Sequence, residues 1–124
     1  MKKITLSNLP KTWIFDVDGT IVEHNGHLKD GDKLLNGVKD FFNNNIKDKD
    51  IVILLTSRKK CYIKDLKIFL LQNNIKFNHL ICDLPFGERI LFNDKKPSGL
   101  KTAFAINSNR DCFLKIKIKI DDSL

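Results

Sequence analysis

The chain has few of the residues that mark secreted, zinc-binding or membrane-spanning proteins. Its three cysteines, Cys61, Cys82 and Cys112, form no CxxC pair and lie at no ligand spacing from the three histidines, which argues against a disulfide framework and a zinc site. No apolar run approaches the roughly 20 residues that cross a bilayer. No long apolar region follows Lys2 and Lys3, so we expect no signal peptide. These absences predict a cytoplasmic protein with no membrane partner.

Basic residues are in excess, but they are scattered along the chain. The formal net charge of +7 admits nucleic acid or an anionic ligand as a partner. Aromatic residues do not alternate with the lysines as in a base-stacking platform, so we do not expect nucleic acid. With 124 residues, 42% of them hydrophobic, the chain predicts a single domain over residues 1–124.

Apolar patterning predicts that strands and helices alternate. Helical spacing predicts helices over 32–46, capped by Asp30 or Asp32, and over 59–72; residues 20–32 are expected to form a loop or small flap. The predicted strands are 12–15, 51–55, 77–82, 90–93, 102–106 and an edge strand within 113–120. This alternation favours a parallel sheet with helices on its faces. Only about six residues, 83–88, join the third and fourth predicted strands, where a parallel crossover needs a dozen or more. Either 77–82 is therefore not a regular parallel strand, or 77–93 forms something closer to a hairpin.

Two carboxylates follow the first predicted strand in the run Asp16-Val17-Asp18-Gly19-Thr20. Like charges this close raise each other's pKa unless a cation lies between them, and a hard divalent ion such as Mg²⁺ would relieve the repulsion. An ordinary surface turn is the alternative, because Asp and Gly both favour turns. A calcium loop of the EF-hand type is excluded, since positions 20, 21 and 27 hold Thr, Ile and His.

Three segments occur in an order that resembles the haloacid dehalogenase superfamily of phosphohydrolases. They are the DxDGT motif at 16–20, the apolar run ending in Leu54-Leu55-Thr56-Ser57-Arg58, and Ile90-Leu91-Phe92-Asn93-Asp94. The resemblance covers residues 12–107. It implies a three-layer, Rossmann-like α/β fold with a mainly parallel central sheet, a site at the carboxyl ends of the strands, and a cap that is minimal or absent.

The resemblance also implies roles for individual residues. Asp16 would be the nucleophile that forms an aspartyl-phosphate. Asp18 would be the general acid for the leaving alkoxide and then the base that activates water. Gly19, grouped with the phosphate-binding residues, lets the chain turn sharply, and Thr20 is expected to bond one of the two carboxylates.

The second motif supplies further phosphate contacts by the same resemblance. The Thr56 hydroxyl would hold a phosphoryl oxygen, helped by amides at a helix N-terminus. Ser57 and Arg58 are also expected to contact phosphate. The alternatives are that Thr56 or Ser57 only caps a helix and that Arg58 lies on the surface.

The resemblance implies a Mg²⁺ site and a stabilising lysine. Asp16, a main-chain carbonyl of Asp18 and Asp94 would hold the ion, although the family's second acid beside Asp94 is missing because Asn93 and Lys95 flank it. Phosphoryl transfer depends on positioning and electrostatics, so a cation near the nucleophile matters. We expect Lys96 in that role, with Lys95 and Lys76 as alternatives.

Little chain is available for a cap, which leaves the expected site open. Either a macromolecular substrate or a neighbouring subunit of a homo-oligomer would cover it, and His24, His27 and Phe86 are candidates for substrate contact. Residues 84–89 and 96–103 resemble a subgroup from bacterial surface-polysaccharide biosynthesis. We therefore expect a Mg²⁺-dependent phosphatase acting on a small phosphate ester such as a sugar or polyol phosphate. The alternatives are a phosphatase for phosphoproteins or nucleic-acid ends, and a binding or regulatory domain without catalysis.

Overall fold

The computed structural model describes residues 2–113 and 115–124. In these residues the chain forms a mixed α/β protein whose strands pair in parallel. The elements are β1 (Lys2–Leu6), β2 (Thr12–Asp16), α1 (Val38–Asn45), β3 (Ile51–Leu55), α2 (Ile63–Gln72), β4 (His79–Ile81) and β5 (Ile116–Ile120), with 3₁₀ turns at Gly26–Leu28 and Lys60–Tyr62. None of the described helices is long and apolar enough to cross a membrane.

The five strands form two parallel sheets. The larger has the order β2-β3-β4, with Asp16 opposite Leu55 and Leu55 opposite Ile81. The smaller pairs β1 with β5, with Lys2 opposite Ile116. The predicted α/β class with parallel strands is therefore confirmed, while the strands divide between two sheets instead of joining one.

The apolar core lies on one face of the larger sheet. β3 contributes Val52 and Leu54, which pack with buried residues of both helices because these recur at helical spacing: Val38 and Phe42 in α1, and Ile63, Leu66 and Leu70 in α2. On the opposite face of the sheet, Ile14, Ile51 and Ile81 remain exposed. A continuous apolar run such as 51–55 is typical of a strand buried on both faces, but here only Val52 and Leu54 on one face are buried, so the sequence pattern is misleading at this strand.

Several predicted elements differ from the structure. Helix α1 begins only at Val38, after Gly37 with a φ of +91°, and neither Asp30 nor Asp32 caps it. The strands predicted at 90–93 and 102–106 are wrong, since no strand forms there and Ile90 and Phe92 are largely exposed. For 90–93 the physical reason is the short connection after β4, because it cannot return the chain for another parallel strand.

Helix α2 agrees more closely, since it follows a 3₁₀ turn within the predicted span of 59–72. Both alternatives for 77–93 are wrong, because β4 is a regular parallel strand and no hairpin follows it. The predicted edge strand forms as β5 and pairs with β1, which patterning did not predict. Leu114, part of that prediction, lies outside the described residues.

A buried carboxylate, Asp50, ties β2 to the start of β3. It accepts hydrogen bonds from the main-chain N–H of Lys11 at 2.9 Å, the indole Nε1 of Trp13 at 2.9 Å and the main-chain N–H of Lys47 at 3.0 Å. Burial alone would raise the pKa of Asp50, but these three hydrogen bonds together lower it below its ordinary value. The segment 47–50, which the sequence suggested to be a solvated turn, is thus anchored to the sheet.

Candidate functional site

The carboxyl ends of β2 and β3 place the first two motifs side by side. The register that sets Asp16 opposite Leu55 continues in a hydrogen bond from Val17 N–H to the Leu55 carbonyl at 3.0 Å. The next residue of the second motif, Thr56, donates its N–H to the Ile81 carbonyl at 2.9 Å. The structure therefore brings Asp16, Asp18 and Thr56 together, as the order of motifs predicted.

A tight turn carries the two carboxylates. The Val17 carbonyl accepts the N–H groups of Thr20, Ile21 and Val22 at 3.0–3.3 Å, and Gly19 N–H donates to the Val22 carbonyl at 2.7 Å. Gly19 has a φ of +81°, a conformation that costs other residues about 1–2 kcal/mol. The predicted need for glycine at this turn is confirmed.

Asp16 lies at the mouth of the site with two different partners. Thr20 Oγ1 donates to Oδ2 at 2.9 Å, and Arg89 Nη1 forms an ion pair with Oδ1 at 3.0 Å. The side chain is 33% exposed. Burial raises the pKa of Asp16 above its ordinary value, and the charge of Asp18 adds to this, while Thr20 and Arg89 oppose it.

Asp18 lies deeper, and protein donors hold both of its oxygens. Thr56 Oγ1 donates to Oδ2 at 2.8 Å, and Arg58 Nε donates to Oδ1 at 2.9 Å. Arg58 Nη2 also forms an ion pair with Oδ1 at 2.8 Å. The Asp18 side chain is 17% exposed, half the value for Asp16. Thr56 is fully buried, so its hydroxyl serves Asp18 in this arrangement.

Arg58 is the most deeply buried charge of the site. Only 2% of its side chain is exposed, and it donates to both oxygens of Asp32, from Nη2 at 2.7 Å and from Nη1 at 3.1 Å. Burial alone would lower the pKa of Arg58, but its hydrogen bonds to Asp32 and Asp18 raise that pKa above its ordinary value. The alternative of a surface arginine is therefore wrong, and its contact with a substrate phosphate stays a prediction.

Ser57 and the N-terminus of α2 lie in other surroundings than the second motif predicted. Ser57 Oγ donates to the Pro85 carbonyl at 3.4 Å, away from the two carboxylates. Helix α2 begins at Ile63, with Tyr62 at its N-cap position, so neither Thr56 nor Ser57 caps it and its amides do not reach the motif. The Thr56 hydroxyl instead accepts the Arg58 N–H at 3.0 Å, which fixes the turn after β3.

The third motif lies apart from the first two in the described residues. The main-chain carbonyl of Asp94 accepts a hydrogen bond from the Thr102 hydroxyl, and the Lys96 N–H donates to the Leu100 carbonyl at 3.1 Å. Neither side chain makes an ion pair or hydrogen bond with Asp16 or Asp18 there. Within residues 2–113 and 115–124 no three His, Cys, Asp or Glu side chains group closely enough to hold a metal ion.

The cation beside Asp16 is an arginine that sequence reasoning missed. We had expected Lys96, Lys95 or Lys76, whereas Arg89 makes the ion pair, from the connection after β4. Its only sequence signal was its place shortly before the third motif. Asp32 was also missed in its actual role, because its position before a predicted helix indicated only a cap.

The segment at 110–111 closes the other side of the turn. Asp111 donates its N–H to the Gly19 carbonyl at 2.8 Å and accepts the N–H of His24 at 2.7 Å. A Cβ atom placed on Gly19 would lie 3.2 Å from Cγ of Arg110. Arg110 is thus the third arginine, after Arg58 and Arg89, whose side chain lies against the loop that carries the two carboxylates.

Comparisons with protein-family models, with curated proteins and with solved structures found no match to this chain. The function of the site is therefore argued from its own geometry and charge.

Proposed function

We propose that the chain is a Mg²⁺-dependent phosphatase of the haloacid dehalogenase type that hydrolyses a small phosphate monoester, such as a sugar or polyol phosphate of surface-polysaccharide biosynthesis. The proposal rests on the different environments of two neighbouring carboxylates. Asp16 is open to solvent beside a cation, and Asp18 is recessed with both oxygens bound. Pairs of acids in contrasting environments are typical of sites that divide nucleophile and acid–base roles.

In the proposed first step, an Asp16 oxygen attacks the phosphorus atom and the ester oxygen leaves with the electron pair of the broken P–O bond. A proton from Asp18 neutralises that oxygen. In the second step, Asp18 takes a proton from water, which attacks phosphorus and releases phosphate and free Asp16. Arg89 supports both steps because its charge offsets the repulsion between a carboxylate and a phosphate dianion.

The hydrogen bonds to Asp18 suit the second step more directly than the first. A carboxylate that accepts from Thr56 and Arg58 is in the form that takes a proton from water. To act as an acid, Asp18 exchanges one of these protein donors for the leaving group. The proposal thus requires a limited movement of Asp18 relative to Arg58 between the two steps.

The donors near Asp16 fit Mg²⁺ in part. The Asp16 carboxylate and the main-chain carbonyl of Asp18 are hard oxygen donors on one turn, and Mg²⁺ is commonly held by one or two carboxylates together with substrate phosphate and water. Bound there, the ion would neutralise charge on the transferring phosphoryl group. Asp94 as a further ligand stays a prediction.

The proposal includes a Rossmann-like core of three layers over residues 1–124, a cytoplasmic location, and a homo-oligomer in which a neighbouring subunit covers the open site. The parallel order β2-β3-β4, with helices between the strands along the chain, supports the Rossmann-like topology; the third layer rests on the resemblance alone. The exposure of Asp16 supports the need for a cover.

Phosphate release from a panel of sugar, polyol, amino-alcohol and nucleotide phosphates with Mg²⁺ tests the proposal. Asp16→Asn should abolish release and the acid-stable mass increase of one phosphoryl group in quenched enzyme, while Asp48→Asn, an exposed carboxylate outside the site, should leave both unchanged. Retained turnover in Asp16→Asn would contradict the nucleophile. No release by folded wild-type protein would favour a macromolecular substrate or a binding role.

A further inference from the structure

Arg58 joins Asp18 to a second buried carboxylate that has no part in the steps above. Asp32 lies between the 3₁₀ turn at Gly26–Leu28 and α1, and only 6% of its side chain is exposed. The Nη2 atom of Arg58 donates a hydrogen bond to Asp32 at 2.7 Å and also forms an ion pair with Asp18 at 2.8 Å. Two carboxylates therefore share one guanidinium in a nearly dry setting.

The geometry of the guanidinium makes these two contacts dependent on each other. It is a rigid planar fork whose N–H directions cannot change independently. Asp32 occupies the edge formed by Nη1 and Nη2, and Asp18 occupies the edge formed by Nε and Nη2. Holding one edge against Asp32 therefore fixes the direction of the donors that reach Asp18.

We propose that Asp32 is a positioning residue for Asp18, acting through Arg58. The inference rests on the proposed phosphatase function. Thr56 and Arg58, both directly after β3, hold the two oxygens of Asp18. Asp32, in the flap before α1, holds Arg58 in turn. The flap thereby sets the orientation from which Asp18 passes its proton to the leaving oxygen.

Two substrates with different leaving groups distinguish a positioning role of Asp32 from a general loss of active structure. An alkyl phosphate needs protonation of its leaving oxygen, whereas 4-nitrophenyl phosphate leaves as a stable anion and needs little acid catalysis, which is commonly worth 10²–10⁴-fold. Asp32→Asn should lower kcat/KM for an alkyl phosphate by roughly tenfold or more and for 4-nitrophenyl phosphate by less than about threefold. Asp30→Asn, an exposed carboxylate of the same flap, should change neither. An equal loss on both substrates, or no loss on either, would overturn the proposal.

A second variant keeps the test decisive if Asp32→Asn does not fold. A cavity of about 190 Å³ lies beside Asp32 and Arg58, which gives room for the added methylene of Asp32→Glu. That variant keeps the negative charge, but its longer side chain should displace the guanidinium of Arg58. Selective loss on the alkyl phosphate supports the proposal, and an equal effect on the two substrates overturns it.

A spectroscopic readout is independent of turnover. The chain contains three arginines, at positions 58, 89 and 110, so Arg58→Lys identifies the Arg58 Nε–H resonance. Its hydrogen exchange should be slow in wild-type protein and about tenfold or more faster in Asp32→Asn, but unchanged in Asp30→Asn. Unchanged exchange in Asp32→Asn overturns the coupling. If wild-type protein releases no phosphate while this exchange responds as expected, the phosphatase fails and the contact between Asp32 and Arg58 stands.

Discussion

Replacing Asp50 with asparagine should destabilise the fold through a defined mismatch of donors. Asp50 receives three N–H groups: one on Oδ1 from Lys11, and two on Oδ2 from Trp13 and Lys47. Asparagine has the same shape but one oxygen, so at least one N–H then faces an NH₂ group. Hydrogen bonds to charged groups contribute about 1.5–3 kcal/mol each, and an unsatisfied buried donor costs about 1–3 kcal/mol. We expect the free energy of unfolding to fall by roughly 3 kcal/mol, which lowers Tm by roughly 10 °C.

Urea denaturation followed by fluorescence of Trp13, the only tryptophan, measures this loss. The control is Asp48→Asn, which alters an exposed carboxylate two residues away and should change stability by less than about 0.5 kcal/mol. A loss below about 1 kcal/mol in Asp50→Asn would refute the reasoning, because it would mean that the three donors find equivalent partners elsewhere.

The pH dependence gives a second readout on the same pair of proteins. The folded-state pKa of Asp50 is lowered from 3.8, so its contribution to stability is complete above that ordinary value and is lost as the pH falls through the lower folded-state value. The difference between wild type and Asp50→Asn should therefore be constant near neutral pH and shrink below about pH 4. A constant difference throughout that acid range would contradict the ionised form as the stabilising species.

Three further changes have expected outcomes. Gly19→Ala should lower the free energy of unfolding by about 1–2 kcal/mol because φ is +81° and the new Cβ meets Arg110, whereas Gly87→Ala, with no atom within 4 Å of its Cβ position, should be neutral in thermal melts. Because burial raises the pKa of Asp16 and the nucleophile must be ionised, kcat/KM for phosphate release should rise with pH through that pKa. Arg89→Gln removes a charge that opposes the shift, so it should move this acid limb to higher pH; an unmoved limb would show that Asp16 is not the titrating group. A chelator should abolish phosphate release and added Mg²⁺ should restore it, and activity that survives chelation would count against the metal.

The apolar pattern of the sequence predicted the strands and helices whose formation depends on neighbouring residues. The runs at 12–16 and 51–55 could be identified because buried parallel strands are continuously apolar, and α2 because apolar residues recur at helical spacing. The runs at 90–93 and 102–106 looked similar, yet they form no strand. An apolar run shows that burial is favourable and does not show that the chain can reach a free sheet edge.

The pairing of charges in the site could not be predicted from the sequence. Arg58 meets Asp32 and Asp18 across 26 and 40 residues, and Arg89 meets Asp16 across 73 residues. Such contacts produce no periodic pattern in the sequence, because the number of residues between the partners depends on how the intervening chain folds. The two aspartates and Thr56 were recognisable since each directly follows an apolar strand, whereas the partners that hold them were not.

The pairing of β1 with β5 has a consequence for the order in which the chain acquires its structure. Lys2 lies opposite Ile116, so β1 is synthesised long before β5, the strand with which it pairs. At about 5–20 residues per second, β1 remains without its partner for on the order of ten seconds. A nascent strand with an open edge is open to pairing with other chains. Lys2 and Lys3 place positive charge on the edge of β1, which discourages pairing with other chains until β5 is available.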